Sequence, residues 1–146
     1  RDQTRRLLLL QNAAFLPMFL EVMGGRGNVK AVNVEEFAPS DQGSTPEVDE
    51  IFAKLGEDRT AGANLALQRV SKTGDAEDLI DAARVLTFLK GNDAHDYKFN
   101  SAALEDYYLV SPTWRNKFLA SSMFMLNTAG EKDNRLVERT RQALKA

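Results

Sequence analysis

The N-terminal segment places the hardest constraint on this chain. Residues 2–23 read as one long helix, with Asp2 as a possible cap, Pro17 as a kink or break, and Gly24-Gly25 as the stop. Its large apolar residues, Leu7, Leu8, Leu9, Leu10, Phe15, Leu16, Phe19 and Leu20, wrap nearly all the way round the helix. With so little polar face, such a helix has to lie in a core or be covered by a partner. Arg5-Arg6 followed by Leu7 to Leu10 resembles the basic and apolar parts of a signal peptide, but Gln11, Asn12, Pro17 and Glu21 interrupt the run. Those interruptions favour a packed helix and predict no transmembrane segment.

The rest of the chain is helical in pattern but differently built. Thr45 as a cap, Pro46 at the first helical position, and Val48, Ile51, Phe52 and Leu55 on one face predict a short amphipathic helix closed by Gly56. The spacing then predicts helices over 58–72 and 75–90, separated only by a short turn at Gly74, which implies an antiparallel hairpin. Asn100 is placed to cap a further helix over 101–109, with Phe99 and Leu104 as a hydrophobic staple. Ser111-Pro112 opens a helix carrying Trp114, Phe118, Leu119, Met123, Phe124, Met125 and Leu126, assigned to the centre of the fold. A surface helix over 132–145 ends the chain. Between the first helix and the rest, residues 24–45 form a long glycine-containing loop or excursion. Valines at 29, 32 and 34 could support a short extended piece, and residues 39–46 should be its most flexible part. The reading is an all-α fold, an irregular helical bundle of about seven helices, and a single domain over the full 146 residues.

Composition removes whole classes of chemistry. The chain has no cysteine and one histidine, which excludes disulfides, thiolate nucleophiles and any multi-histidine metal cage within one chain. The cysteine count suits a reducing or an oxidising compartment equally well. A net charge of −2 gives no global basic field, and the basic set Arg135, Arg139, Arg141 and Lys145 is interleaved with Glu131, Asp133 and Glu138. There is no specific nucleic-acid signal. Gly24-Gly25-Arg26-Gly27-Asn28 has the glycines of a phosphate loop, but a helix precedes it where a nucleotide fingerprint needs a strand, so helix termination is favoured.

The densest group of proton-handling residues surrounds His95. Asp93 and Asp96 flank it, Tyr97 follows, and Glu105, Asp106, Tyr107 and Tyr108 come shortly after. A carboxylate-oriented imidazole is the usual arrangement of a general base, and Glu105 or Asp106 would complete a mononuclear metal site. Against that reading, Asp residues in such a stretch commonly make turn hydrogen bonds, and adjacent acids on a helix point about 100° apart and do not converge. No metal or cofactor is implied by any motif spacing. The expectation is a noncatalytic protein-interaction or assembly module, self-associating or part of a larger complex. Two alternatives remain: a small hydrolase- or lyase-type enzyme using His95 with Asp93, Asp96 and Glu105, or a helical pocket for an apolar or haem-like ligand with His95 as its only possible histidine ligand.

Overall fold

The structure, a computed structural model, describes residues 2–26, 32–39 and 43–145. Among these the protein is all-helical, with seven α-helices, two short 3-10 helices and no strand. Contacts divide the chain into two units, Arg1–Val32 and Asn33–Ala146, and each is described by itself.

The first unit is built on α1, Asp2–Gly24, a helix of 23 residues that runs unbroken through Pro17. Of the kink or break expected at Pro17, the break does not form. Gly24-Gly25 does stop the helix, with Gly25 N–H donating to Glu21 and Arg26 N–H to Met23. No residue of α1 is buried. The phosphate-loop reading extends to Gly27 and Asn28, which lie outside the described residues.

The second unit is an irregular bundle of α2 (Val48–Glu57), α3 (Arg59–Thr73), α4 (Glu77–Lys90), α5 (Ala94–Asp106), α6 (Pro112–Ser122) and α7 (Arg135–Ala143). Its core joins Ile51, Phe52 and Leu55 of α2, Ala63, Ala66, Leu67 and Val70 of α3, Leu79, Ile80 and Ala83 of α4, and Leu104 of α5. Leu119 and Ala120 of α6, then Met123 and Leu126, complete it. Helices α2, α3 and α4 contribute residues that recur every three or four positions, so one stripe of each is buried.

A very close approach lies between α2 and α3. A Cβ on Gly62 would sit 2.8 Å from the Leu55 backbone nitrogen and 2.6 Å from its Cγ. Glycine at 62 is therefore what lets the two backbones close. The closely packed pairs are α2–α3, α3–α6 and α4–α5. The hairpin expected of α3 and α4 does not form as a packed pair. Gly74 in the left-handed conformation (φ 72°) ends α3, and the Arg69–Asp78 ion pair bridges the two helices beyond it.

Three other expectations shift. Val34–Glu36 forms a 3-10 helix capped by Asn33, not an extended segment; Val29 lies outside the described residues. Phe37 then enters the core and stacks on Phe124 at 5.8 Å. The described end of the segment expected to be flexible is tied to α3, where Lys72, Gln68 and Arg69 donate to the carbonyls of Gly43, Ser44 and Pro46; residues 40–42 are not described. The expected central helix over 112–126 is α6 followed by a 3-10 turn, Met123–Met125, and Arg59 donates to the Met123 and Leu126 carbonyls left open there.

Helix α5 is the largest correction. It begins at Ala94 and not near residue 101, because Asp93 and Asp96 form a capping box. The Asp93 carboxylate accepts from His95 N–H at 2.6 Å and Asp96 N–H at 3.2 Å, while Asp96 accepts from the Asn92 and Asp93 amides. Asn100, expected as a cap, is a buried mid-helix residue.

Candidate functional site

The seam between α4 and α5 is polar at its centre. Asn100 Nδ2 donates to Thr87 Oγ1 at 2.7 Å, and Thr87 Oγ1 donates in turn to the Ala83 carbonyl at 2.8 Å. Asn127 Oδ1 faces the same Asn100 amide at 3.5 Å, and Asn127 Nδ2 donates to Glu131 at 2.9 Å. Every orientation in this relay is set by its ends: Glu131, as a carboxylate, only accepts, and the Thr87 hydrogen is committed to a carbonyl. Burial pushes the Glu131 carboxyl upward, but hydrogen bonds from Asn127 and from the Thr128 amide and hydroxyl outweigh it and hold the group below its ordinary value.

Outside this seam lies an apolar cleft of about 310 Å³, lined on one side by Arg84, Thr87 and Phe88 of α4 and on the other by Tyr97, Asn100, Ser101, Leu104 and Glu105 of α5. Tyr97 is held at the top of α5 by its hydroxyl, which donates to the Gly91 carbonyl at 2.8 Å. A second cleft of about 220 Å³ opens on the other flank of α4, between Phe88 and Leu89 and the α7 residues Leu136, Val137, Thr140 and Arg141.

Phe88 lines both clefts, and with 66% of its surface exposed it forms a ridge between them. Val85, one turn earlier on α4, is exposed beside it, as is Leu136 across the second cleft. Arg84 and Glu105 place opposite charges on the two walls of the first cleft.

The α7 wall is fixed by Asn134 and Asp133. Asn134 Oδ1 accepts from Val137 N–H as the cap of α7, Asn134 Nδ2 donates to the Phe88 carbonyl at 2.7 Å, and Asn134 N–H donates to the Leu89 carbonyl. Next to it, Asp133 bridges Lys90 of α4 at 2.7 Å and Arg141 of α7. The hydrogen bond from Lys90 holds the Asp133 carboxyl below the usual carboxylate range, with Arg141 adding to it.

The residues singled out from sequence fall elsewhere. The His95 side chain is 94% exposed in the first turn of α5, with Nδ1 3.5 Å from Asp93 Oδ1, and it lines neither cleft. Asp93 and Asp96 spend their oxygens on backbone amides, and those bonds hold the Asp93 carboxyl low. Glu105 accepts from Ser101 on the same helix and stands at the cleft wall, away from the His95 turn. Among the described residues, no three His, Asp or Glu side chains are grouped to hold a metal ion.

Tyr107 is buried, which pushes its hydroxyl upward, and Arg115 lies over its ring at 5.5 Å; Tyr108 is exposed. Of the aromatic and methionine residues on the helix assigned to the centre, Met123 is core and Phe124 packs against the core, whereas Trp114 and Met125 face outward. The α4 face was missed in sequence. Its signal was there to read: Val85 and Phe88 are apolar at positions opposite the stripe Leu79, Ala83 and Leu86 that already accounts for the core.

Compared with known proteins, the chain matches no family model, no curated protein and no solved structure.

Proposed function

We propose that residues 33–146 work as a noncatalytic assembly module that associates through the Phe88 face, with a second copy of the same chain as the partner. The observation that carries this reading is the position of Phe88, an exposed aromatic ridge standing directly between two apolar clefts. A knob beside a hole is self-complementary. Two copies related by a two-fold axis can each place Phe88 in the other's cleft, and such isologous contacts are the commonest form of homo-oligomer. Arg84 and Glu105 on opposite walls suit the same symmetry, since the axis sets each against its opposite charge. Aromatic residues seated in pockets carry most of the energy in contacts of this kind.

Sedimentation of the full chain in mild detergent tests it. The wild type should run as a dimer and Phe88→Glu as a monomer with an unchanged circular dichroism spectrum. A wild-type chain that stays monomeric at the highest attainable concentration would overturn the proposal.

A further inference from the structure

We propose that α1 is inserted across a lipid bilayer, with acyl chains as the cover its surface requires. Three observations bear on the choice of partner. The first is length: 23 residues at 1.5 Å each make a helix of about 34 Å, against about 30 Å for the hydrocarbon core of a bilayer. By length and composition it is a candidate span, and none of it is buried.

The second is the distribution of apolar surface. Leu7, Leu8, Leu9, Leu10, Phe15 and Leu20 are each about half to two-thirds exposed, and they point to all sides of the helix. A helix that docks on another protein presents one apolar stripe and keeps a polar back. Lipid covers every side equally, so a helix apolar all round matches a bilayer and not a groove.

The third is charge. Asp2, Arg5 and Arg6 stand at one end, residues 7–20 carry no charge, and Glu21 is the only charge between Arg6 and Arg26. Residues 7–24 span about 27 Å, which brings Arg5 and Arg6 at one end, and Glu21 about 4.5 Å inside the other, within reach of the headgroup layers, where charged side chains extend toward water. The expectation against a span rests on Gln11, Asn12, Pro17 and Glu21, yet the helix runs through all four. A proline within a membrane helix is tolerated where it would break a helix in water.

The test is flotation of the full chain with vesicles of phosphatidylcholine and phosphatidylglycerol in equal parts. The wild type should float with the lipid and resist extraction by high salt and alkaline carbonate. A Leu9→Arg/Phe15→Arg variant should lose flotation while keeping the thermal unfolding transition of the second unit. Wild-type chain remaining in the dense fraction as a lipid-free oligomer would assign the helix to a protein partner and overturn the proposal. Flotation that salt or carbonate reverses would reduce it to surface attachment and overturn it equally.

Discussion

Thr87 accepts a hydrogen bond from Asn100 at 2.7 Å across the α4–α5 seam, and it accepts because its own hydrogen is held by Ala83. Both residues are buried, so neither can turn to water for a substitute. Thr87→Val keeps the shape and removes the acceptor, leaving the Asn100 amide with the longer Asn127 contact alone. The expected cost is about 1–3 kcal/mol in urea denaturation, the usual penalty for a buried polar group left unpaired. Adding Asn100→Leu to Thr87→Val should recover part of that loss, because removing both partners costs less than stranding one. A double variant no more stable than the single would show that the pair does not act as a unit.

Gly62→Ala should destabilise the second unit by about 1–3 kcal/mol, the range for overpacking a well-filled interior. Alanine is ordinarily the better helix former by about 1 kcal/mol, so the sign of the effect is itself diagnostic. A stabilised variant would mean that α2 and α3 separate at no cost. Shortening Leu55 to alanine in the same chain should not restore the loss, since the Leu55 backbone nitrogen, 2.8 Å from the new Cβ, remains.

Acid should weaken the second unit in a defined window. Hydrogen bonding to Arg69 lowers the Asp78 carboxyl, and hydrogen bonding to Lys90 lowers that of Asp133. A carboxylate whose folded pKa is depressed adds stability that is fully present above its unfolded value, near 3.9, and is lost as pH falls through the folded value. Urea midpoints should therefore hold level from neutrality down to the carboxylate range and drop below it. The Asp78→Asn/Asp133→Asn chain should start lower and show a shallower decline. An identical slope in both chains would place the acid sensitivity elsewhere.

His95→Ala and Asp93→Ala should behave differently although the residues are two apart. The imidazole is in water, and its loss should change stability by less than about 0.5 kcal/mol. Asp93 caps α5, and its loss should cost about 1 kcal/mol and fray the first turn, visible as faster amide exchange at His95 and Asp96. Equal effects from the two substitutions would count against the capping assignment.

Helices α2, α3 and α4 were legible in the sequence because an apolar stripe recurs in each and a glycine stands near each C-terminus, although α2 starts at Val48 after Glu47 and not at the expected Thr45 cap and Pro46. Helix α5 was misplaced because Asp93 and Asn100 are both good caps; the Asp93–Asp96 capping box and the burial of Asn100 together decide between them. Val34 went into a 3-10 turn because the Asn33 side chain captures the Glu35 amide, a local bond that outweighs weak β preference. His95 drew attention by its chemistry, but the chemistry of its neighbours was already committed to the backbone. The α4 ridge was overlooked because the stripe Leu79, Ala83 and Leu86 already accounts for a core face, and Phe88 on the opposite face was not weighed.

Asn134 joins two helices with one side chain, and α7 has only nine residues. A helix so short is marginal alone in water. Its folding is thus thermodynamically linked to that of the α4 C-terminus, and the two should open together in native-state hydrogen exchange. Asn134→Ser would keep a cap while removing the side-chain bond to Phe88 and leaving the Asn134 N–H to Leu89 and the Asp133–Lys90 pair, so the change in α7 exchange reports how much of the coupling that one bond carries. In the wild type, any partner that grips Phe88 is felt at α7 through Asn134 and the neighbouring Asp133–Lys90 pair.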